Sequence, residues 1–101
     1  GSTAMLLLEL LSDKDMYGYE MIGALQRSSA DLFSLKTCTL YPLLHSLEYK
    51  KLLSSYQRQD GAKLRTYYHL TKQGRKALAR QKEEWAAYAG TVNRILGLDA
   101  E

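Results

Sequence analysis

The side chains able to do chemistry in this 101-residue sequence are basic and aromatic, and they are unevenly placed. Residues 58–82 carry eight basic groups (Arg58, Lys63, Arg65, Lys72, Arg75, Lys76, Arg80 and Lys82) against Asp60 alone, whereas residues 1–57 carry five basic and six acidic groups. The overall charge of +3 says little; its concentration in one stretch is the footprint expected of phosphate binding. A solvated, basic helix face gives the same count. The parts of an enzyme are missing. Glu83 and Glu84 are adjacent and so sit on different faces of a helix, and His45 and His69 have no paired nucleophile. Cys38 is the single cysteine. It cannot form an internal disulfide, and no histidine–cysteine cluster has metal-ligand spacing. The sequence therefore calls for no catalytic residue, no metal and no cofactor, and it fits a reducing cytoplasm. The longest apolar run, near Ala4–Leu8, is too short to cross a bilayer. No signal peptide is visible, and Gly1-Ser2 reads as a cloning remnant.

The basic groups gain meaning beside the polar and aromatic ones. Lys36, Thr37 and Thr39 open a segment whose Leu40, Leu43, Leu44 and Leu47 form one apolar stripe. Its other face carries Tyr41, His45 and Glu48. A helix with one buried face and a narrow polar face is what the major groove admits. Tyr41 either reads DNA or is an aromatic support for the neighbouring loop, and His45 is either a contact or a surface residue. Lys63 and Arg65 flank a turn able to reach a phosphate or the minor groove. Tyr17 and Tyr19 are placed to bond phosphate or to anchor the core. Near the C-terminus, Leu78, Trp85 and Val92 repeat every seven residues, as do Gln81, Tyr88 and Ile95, with Leu96 widening the stripe. That is the pattern of a helix-to-helix seam between two copies. Trp85 and Tyr88 are large for knobs-into-holes packing; they either cover the core or line a cavity at the seam.

The elements that must position these groups follow from periodicity. Ala4–Leu11 lacks β-branched residues and reads as a buried helix. Met16–Ser28 has Gly18, Met21, Ile22 and Leu25 at helical spacing, with Asp15 as its cap. Leu32, Phe33 and Leu35 link it to a third helix, Thr37–Lys51, where Pro42 is expected in or just after the first turn. After Leu52 the period changes to two. Leu53–Arg58 and Leu64–Leu70 read as strands joined at Asp60-Gly61. In the second, Thr66, Tyr68 and Leu70 point one way and Arg65, Tyr67 and His69 the other. Thr71 caps a last helix, Lys72–Leu96, longer than a domain of this size needs. The fold class is mainly α with a small β-hairpin (α+β): a winged helix-turn-helix over residues 3–71 and a dimerisation helix over 72–97. A winged-helix interaction module without specific DNA binding has the same order of elements.

Four blocks of the sequence carry a resemblance. They are Leu6-Leu7-Leu8-Glu9-Leu10-Leu11-Ser12, Met16-Tyr17-Gly18-Tyr19-Glu20-Met21, Thr39-Leu40-Tyr41-Pro42-Leu43-Leu44-His45-Ser46-Leu47-Glu48 and Tyr67-Tyr68-His69-Leu70-Thr71-Lys72-Gln73-Gly74-Arg75. Together they resemble the PadR family of bacterial transcriptional regulators, in its compact form with a single C-terminal helix. The resemblance implies a homodimer that binds inverted-repeat operators in double-stranded DNA and usually represses nearby genes. It implies that Thr39-Leu40-Tyr41-Pro42 opens the recognition helix and that Tyr17, Tyr19, Tyr41, Lys63 and Arg65 lie near DNA. It also implies dimerisation through the first and last helices, which brings Leu7 to the interface with Leu78, Gln81, Trp85, Tyr88, Val92, Ile95 and Leu96. Some members bind planar aromatic molecules beside a tryptophan of the last helix, the place Trp85 would take. The wing departs from the common pattern: Gly61-Ala62-Lys63-Leu64-Arg65-Thr66 has fewer charges and no proline.

Overall fold

The structure is a computed structural model and describes residues 2–98; Gly1, one half of the dipeptide read as a cloning remnant, lies outside them. Its order is α1 (Ser2–Asp13), β1 (Met16–Tyr17), α2 (Gly18–Ser28), α3 (Thr37–Tyr49), β2 (Leu53–Asp60), β3 (Lys63–Leu70) and α4 (Lys72–Leu96). The strands form one antiparallel sheet in the order β1-β3-β2. Leu7, Leu8 and Leu11 of α1 meet Met21 of α2, Leu40, Leu44 and Leu47 of α3, and Leu53, Tyr68 and Leu70 of the sheet in a single core. Each such leucine contributes about 1.5–3 kcal/mol on leaving water. The helices, the hairpin and the long last helix are where periodicity put them.

Four local readings change. Met16 and Tyr17 do not begin α2. They form a short strand whose partners are Tyr68 and Tyr67, because β3 has an open edge that two extended residues can pair. Asp15 is consequently not a helix cap; its carboxylate accepts from Tyr56 Oη at 2.6 Å and meets His69 Nδ1 at 2.8 Å. The start of α2 is closed from the other side, by Glu20 Oε1 accepting from the Tyr17 N–H at 3.4 Å. Pro42 sits just after the first turn of α3, which begins at Thr37, as expected. It leaves the Cys38 carbonyl without its i+4 donor, a loss that the exposure of Cys38 lets water make good. The hairpin loop is Gly61-Ala62, one residue later than expected, since Asp60 pairs with Lys63 as the last residue of β2. Gly61 takes φ +59°, the left-handed conformation a two-residue hairpin loop needs. Leu7 (0 % exposed) and Leu78 (6 %) pack into the core of their own chain, which leaves them little surface to offer a second copy.

One corner joins the winged part to the last helix. The Thr71 hydroxyl accepts from the Gly74 N–H at 2.9 Å, capping α4, and is within hydrogen-bond distance of the Lys51 and Leu52 carbonyls at 2.8 and 3.0 Å. Gly74 permits this closeness: a Cβ there would run into the Leu52 carbonyl and lie 2.6 Å from Leu70 Cδ1.

Candidate nucleic-acid interface

β1 pairs only with Tyr67 and Tyr68, so the edge of β3 from Lys63 to Thr66 has no strand beside it. An open cleft of about 790 Å³ lies along that edge, between the hairpin, the start of α2 and α3. Tyr17, Gly18 and Tyr19 line it from β1 and α2, Tyr41 and His45 from α3, and Lys63, Leu64, Arg65, Thr66 and Tyr68 from β3. Tyr41 and His45 are four apart on a helix and so share a face. Tyr41 is half-buried over the start of α2, where Gly18 makes room for it; a Cβ on Gly18 would stand 2.7 Å from Tyr41 Cζ. Tyr41 is thus both a packed aromatic and a wall of the cleft.

The hairpin is held by a polar and aromatic layer on the sheet face away from the core. Tyr67 stacks on Tyr56, ring centroids 5.8 Å apart, and meets Tyr17 edge-on at 5.4 Å. This layer explains why Tyr67 is buried although Tyr68, its neighbour on the opposite face, is buried too. The Arg58 guanidinium lies 3.9 Å over the Tyr67 ring. Asp60 accepts from the Tyr67 hydroxyl, from Arg58 Nε at 3.0 Å and from Arg65 Nη1 at 3.3 Å. The Tyr67 hydrogen bond, joined by the two arginines, holds the Asp60 carboxyl below the usual range against the opposing effect of burial, and the same bond pushes the Tyr67 hydroxyl up. For Asp15, burial raises the pKa, but hydrogen bonds from Tyr56 and His69 outweigh it and leave the carboxyl lowered. Arg65 also lies over the Tyr17 ring, 4.5 Å from its centroid. Lys63 has no ion pair among the described residues.

The basic stretch is divided by the fold. Of its eight groups, Lys63 and Arg65 line the cleft; Arg58 is paired with Asp60, and Lys82 reaches Glu9 of α1 at 2.9 Å. Lys36, Thr37 and Thr39 stand at the N-terminus of α3, outside the cleft lining. An open cleft with tyrosine hydroxyls, an imidazole, a lysine and an arginine offers donors on several sides, the inventory that phosphates and base edges accept from.

The sequence model of the PadR-like transcriptional regulators matches residues 7–80. The chain belongs to this family. A PadR-family regulator from Clostridium difficile is 36 % identical, with a TM-score of 0.82 over 95 % of this chain and 99 % of that one. One from Eggerthella lenta is 30 % identical, with a TM-score of 0.85 over 98 % and 85 %. Bacillus subtilis PadR, solved in complex with operator DNA, shares 22 % identity and a TM-score of 0.72 over 79 % of this chain and 45 % of its own; at that identity the likeness is one of fold.

In this PadR-like chain a second surface lies where α4 crosses α1. Trp85 is 51 % and Tyr88 64 % exposed, with ring centroids 5.9 Å apart, so neither covers the core of its own chain. Hollows of about 350 and 300 Å³ flank Trp85, the first lined also by Met5, Gln81 and Tyr88, the second by Met5, Leu6 and Leu78. Gln81 Oε1 is buried there without a partner among the described residues. Further along α4, Ile95 and Leu96 are exposed and Val92 is half-buried. No helix among the described residues is long and apolar enough to cross a membrane, and no group of metal-ligating side chains occurs among them.

Sequence reasoning missed Gly18, Leu64, Thr66 and Tyr68 as cleft residues. The signal for the last three was present: they alternate along β3, on the face that runs into the core. It also passed over Asp60 and Tyr67, whose meeting depends on the exact hairpin register.

Proposed function

We propose that the chain is a homodimeric, sequence-specific DNA-binding repressor that grips an inverted-repeat operator, one half-site per cleft. What supports this is the convergence of Tyr17, Tyr19, Tyr41, His45, Lys63 and Arg65 on one open cleft beside α3. Bacillus subtilis PadR, of the same fold, occurs with operator DNA. In this reading α3 enters the major groove. Lys36, Thr37 and Thr39 make base or phosphate contacts at its leading end, and the hairpin reaches the flanking backbone. A second copy packs along Gln81, Trp85, Tyr88, Val92, Ile95 and Leu96, which removes a row of exposed apolar side chains from water. A planar aromatic effector fits beside Trp85 and Tyr88, where stacking and the unpartnered Gln81 oxygen supply contacts.

Selection of bound duplexes from a random pool tests the reading. It predicts an enriched palindrome with half-sites about one helical turn, about 34 Å, apart. A pool with no enriched sequence marks an interaction module instead. Light scattering gives twice the chain mass if the seam pairs two copies, and Trp85 fluorescence titrated with flat aromatic compounds reports the effector.

A further inference from the structure

We propose that Asp60 is a positioning residue that sets how sharply the protein discriminates among DNA sequences, by holding Arg65 in one place on the cleft wall. The inference rests on the DNA reading of the cleft.

Asp60 ends β2, and its carboxylate gathers three donors: the Tyr67 hydroxyl, Arg58 Nε at 3.0 Å and Arg65 Nη1 at 3.3 Å. The Arg65 guanidinium is fixed from another side by the ring of Tyr17, 4.5 Å away. Tyr17 has little freedom of its own. Its backbone pairs with Tyr67, and its ring meets the Tyr67 ring edge-on. Arg65 therefore stands between a carboxylate and a ring, each anchored to the sheet. An arginine carries five N–H donors in a planar fork. The contact to Asp60 uses Nη1, and Arg65 lines the cleft.

Two consequences follow from this geometry. A clamped arginine has less side-chain freedom to lose on meeting DNA, and it meets only a group at the matching position. Asp60 also cancels one of the two arginine charges around it, which weakens attraction to phosphate of any sequence. The first effect widens the gap between the right duplex and the wrong one; the second lowers affinity for every duplex alike. Arg58 does not line the cleft; it pins Asp60 from the far side.

The test uses the full chain and two labelled duplexes of equal length: the sequence most enriched by selection and a scramble of it. Affinities are measured between about 50 and 200 mM salt, where phosphate contacts dominate the change. Asp60→Asn is expected to bind the scramble more tightly at low salt, with a salt slope steeper by about one. The ratio of the two affinities is expected to fall about fivefold, the order of one base-pair contact. In an Arg65→Ala background the same substitution leaves the ratio unchanged, a coupling that a general loosening of the hairpin does not produce. A wild-type ratio in Asp60→Asn, or an equal fall without Arg65, overturns the inference while leaving the DNA reading in place. A wild-type protein with no salt-dependent duplex binding overturns both. If Asp60→Asn does not fold, Tyr67→Phe keeps the ring and removes one donor to the carboxylate. It is expected to lower the ratio by a smaller factor, and an unchanged ratio there overturns the inference.

Discussion

Gly18 and Tyr41 occupy space that admits only one side chain: a Cβ on Gly18 would lie 2.7 Å from Tyr41 Cζ, at the junction of α2 and α3. The absence of a side chain at Gly18 is what lets the α3 tyrosine pack against the start of α2 and line the cleft.

Gly18→Ala is therefore expected to destabilise the protein by about 1–3 kcal/mol, the usual cost of overpacking. In a Tyr41→Ala background the added methyl meets no ring, so the cost there should largely vanish. Chemical denaturation of the two single variants and the double variant measures this coupling. Additive effects would show that the two residues do not contest the same space.

Gly74 gives a contrasting pair with Gly23. At Gly74 the obstacle is the Leu52 carbonyl, which is backbone and cannot swing aside. Gly74→Ala should cost at least about 2 kcal/mol and separate α4 from the α3–β2 corner. At Gly23 the nearest atom is the tip of the Arg27 side chain at 3.1 Å, which can move. Gly23→Ala in the interior of α2 should stabilise by about 0.5–1 kcal/mol. Melting temperatures that move the same way in both variants would contradict this account of the corner.

Acid should loosen the sheet through two carboxylates. The Asp60 pKa is lowered first by the Tyr67 hydroxyl; that of Asp15 is raised by burial but lowered overall by Tyr56 and His69. Both folded pKa values lie below the unfolded one, about 3.9. Their stabilisation is thus complete above that value and is lost as pH falls through the folded values. The melting temperature of the wild type should drop more steeply below about pH 4 than that of Asp15→Asn or Asp60→Asn. Parallel curves for all three proteins would exclude a role for these carboxylates in acid unfolding.

Much of this architecture is legible in the sequence because it repeats. The leucines of α3 recur at helical spacing, the hairpin alternates, and α4 has a heptad, so each announces its element locally. Tyr41, Lys63 and Arg65 are legible as cleft residues for the same reason, being on the polar sides of those patterns. What escaped depends on distant partners. Met16-Tyr17 is too short to show a period, and its strand exists only because β3 lies alongside. Leu78 fits a seam by spacing and Leu7 by resemblance, yet both are buried in the core where α1 and α4 meet. The basic stretch counts as one charge cluster along the chain, but Asp60 and Glu9 take up Arg58 and Lys82 once the chain folds.

The most direct test of DNA binding through the cleft is the salt dependence of duplex affinity in the wild type, Lys63→Ala, Arg65→Ala and the double variant. Cleft binding predicts weaker affinity for every duplex in each single variant, and a logarithmic salt slope shallower by about one per lost cation, about two in the double variant. Affinities that are equal in all four proteins and insensitive to salt would contradict it.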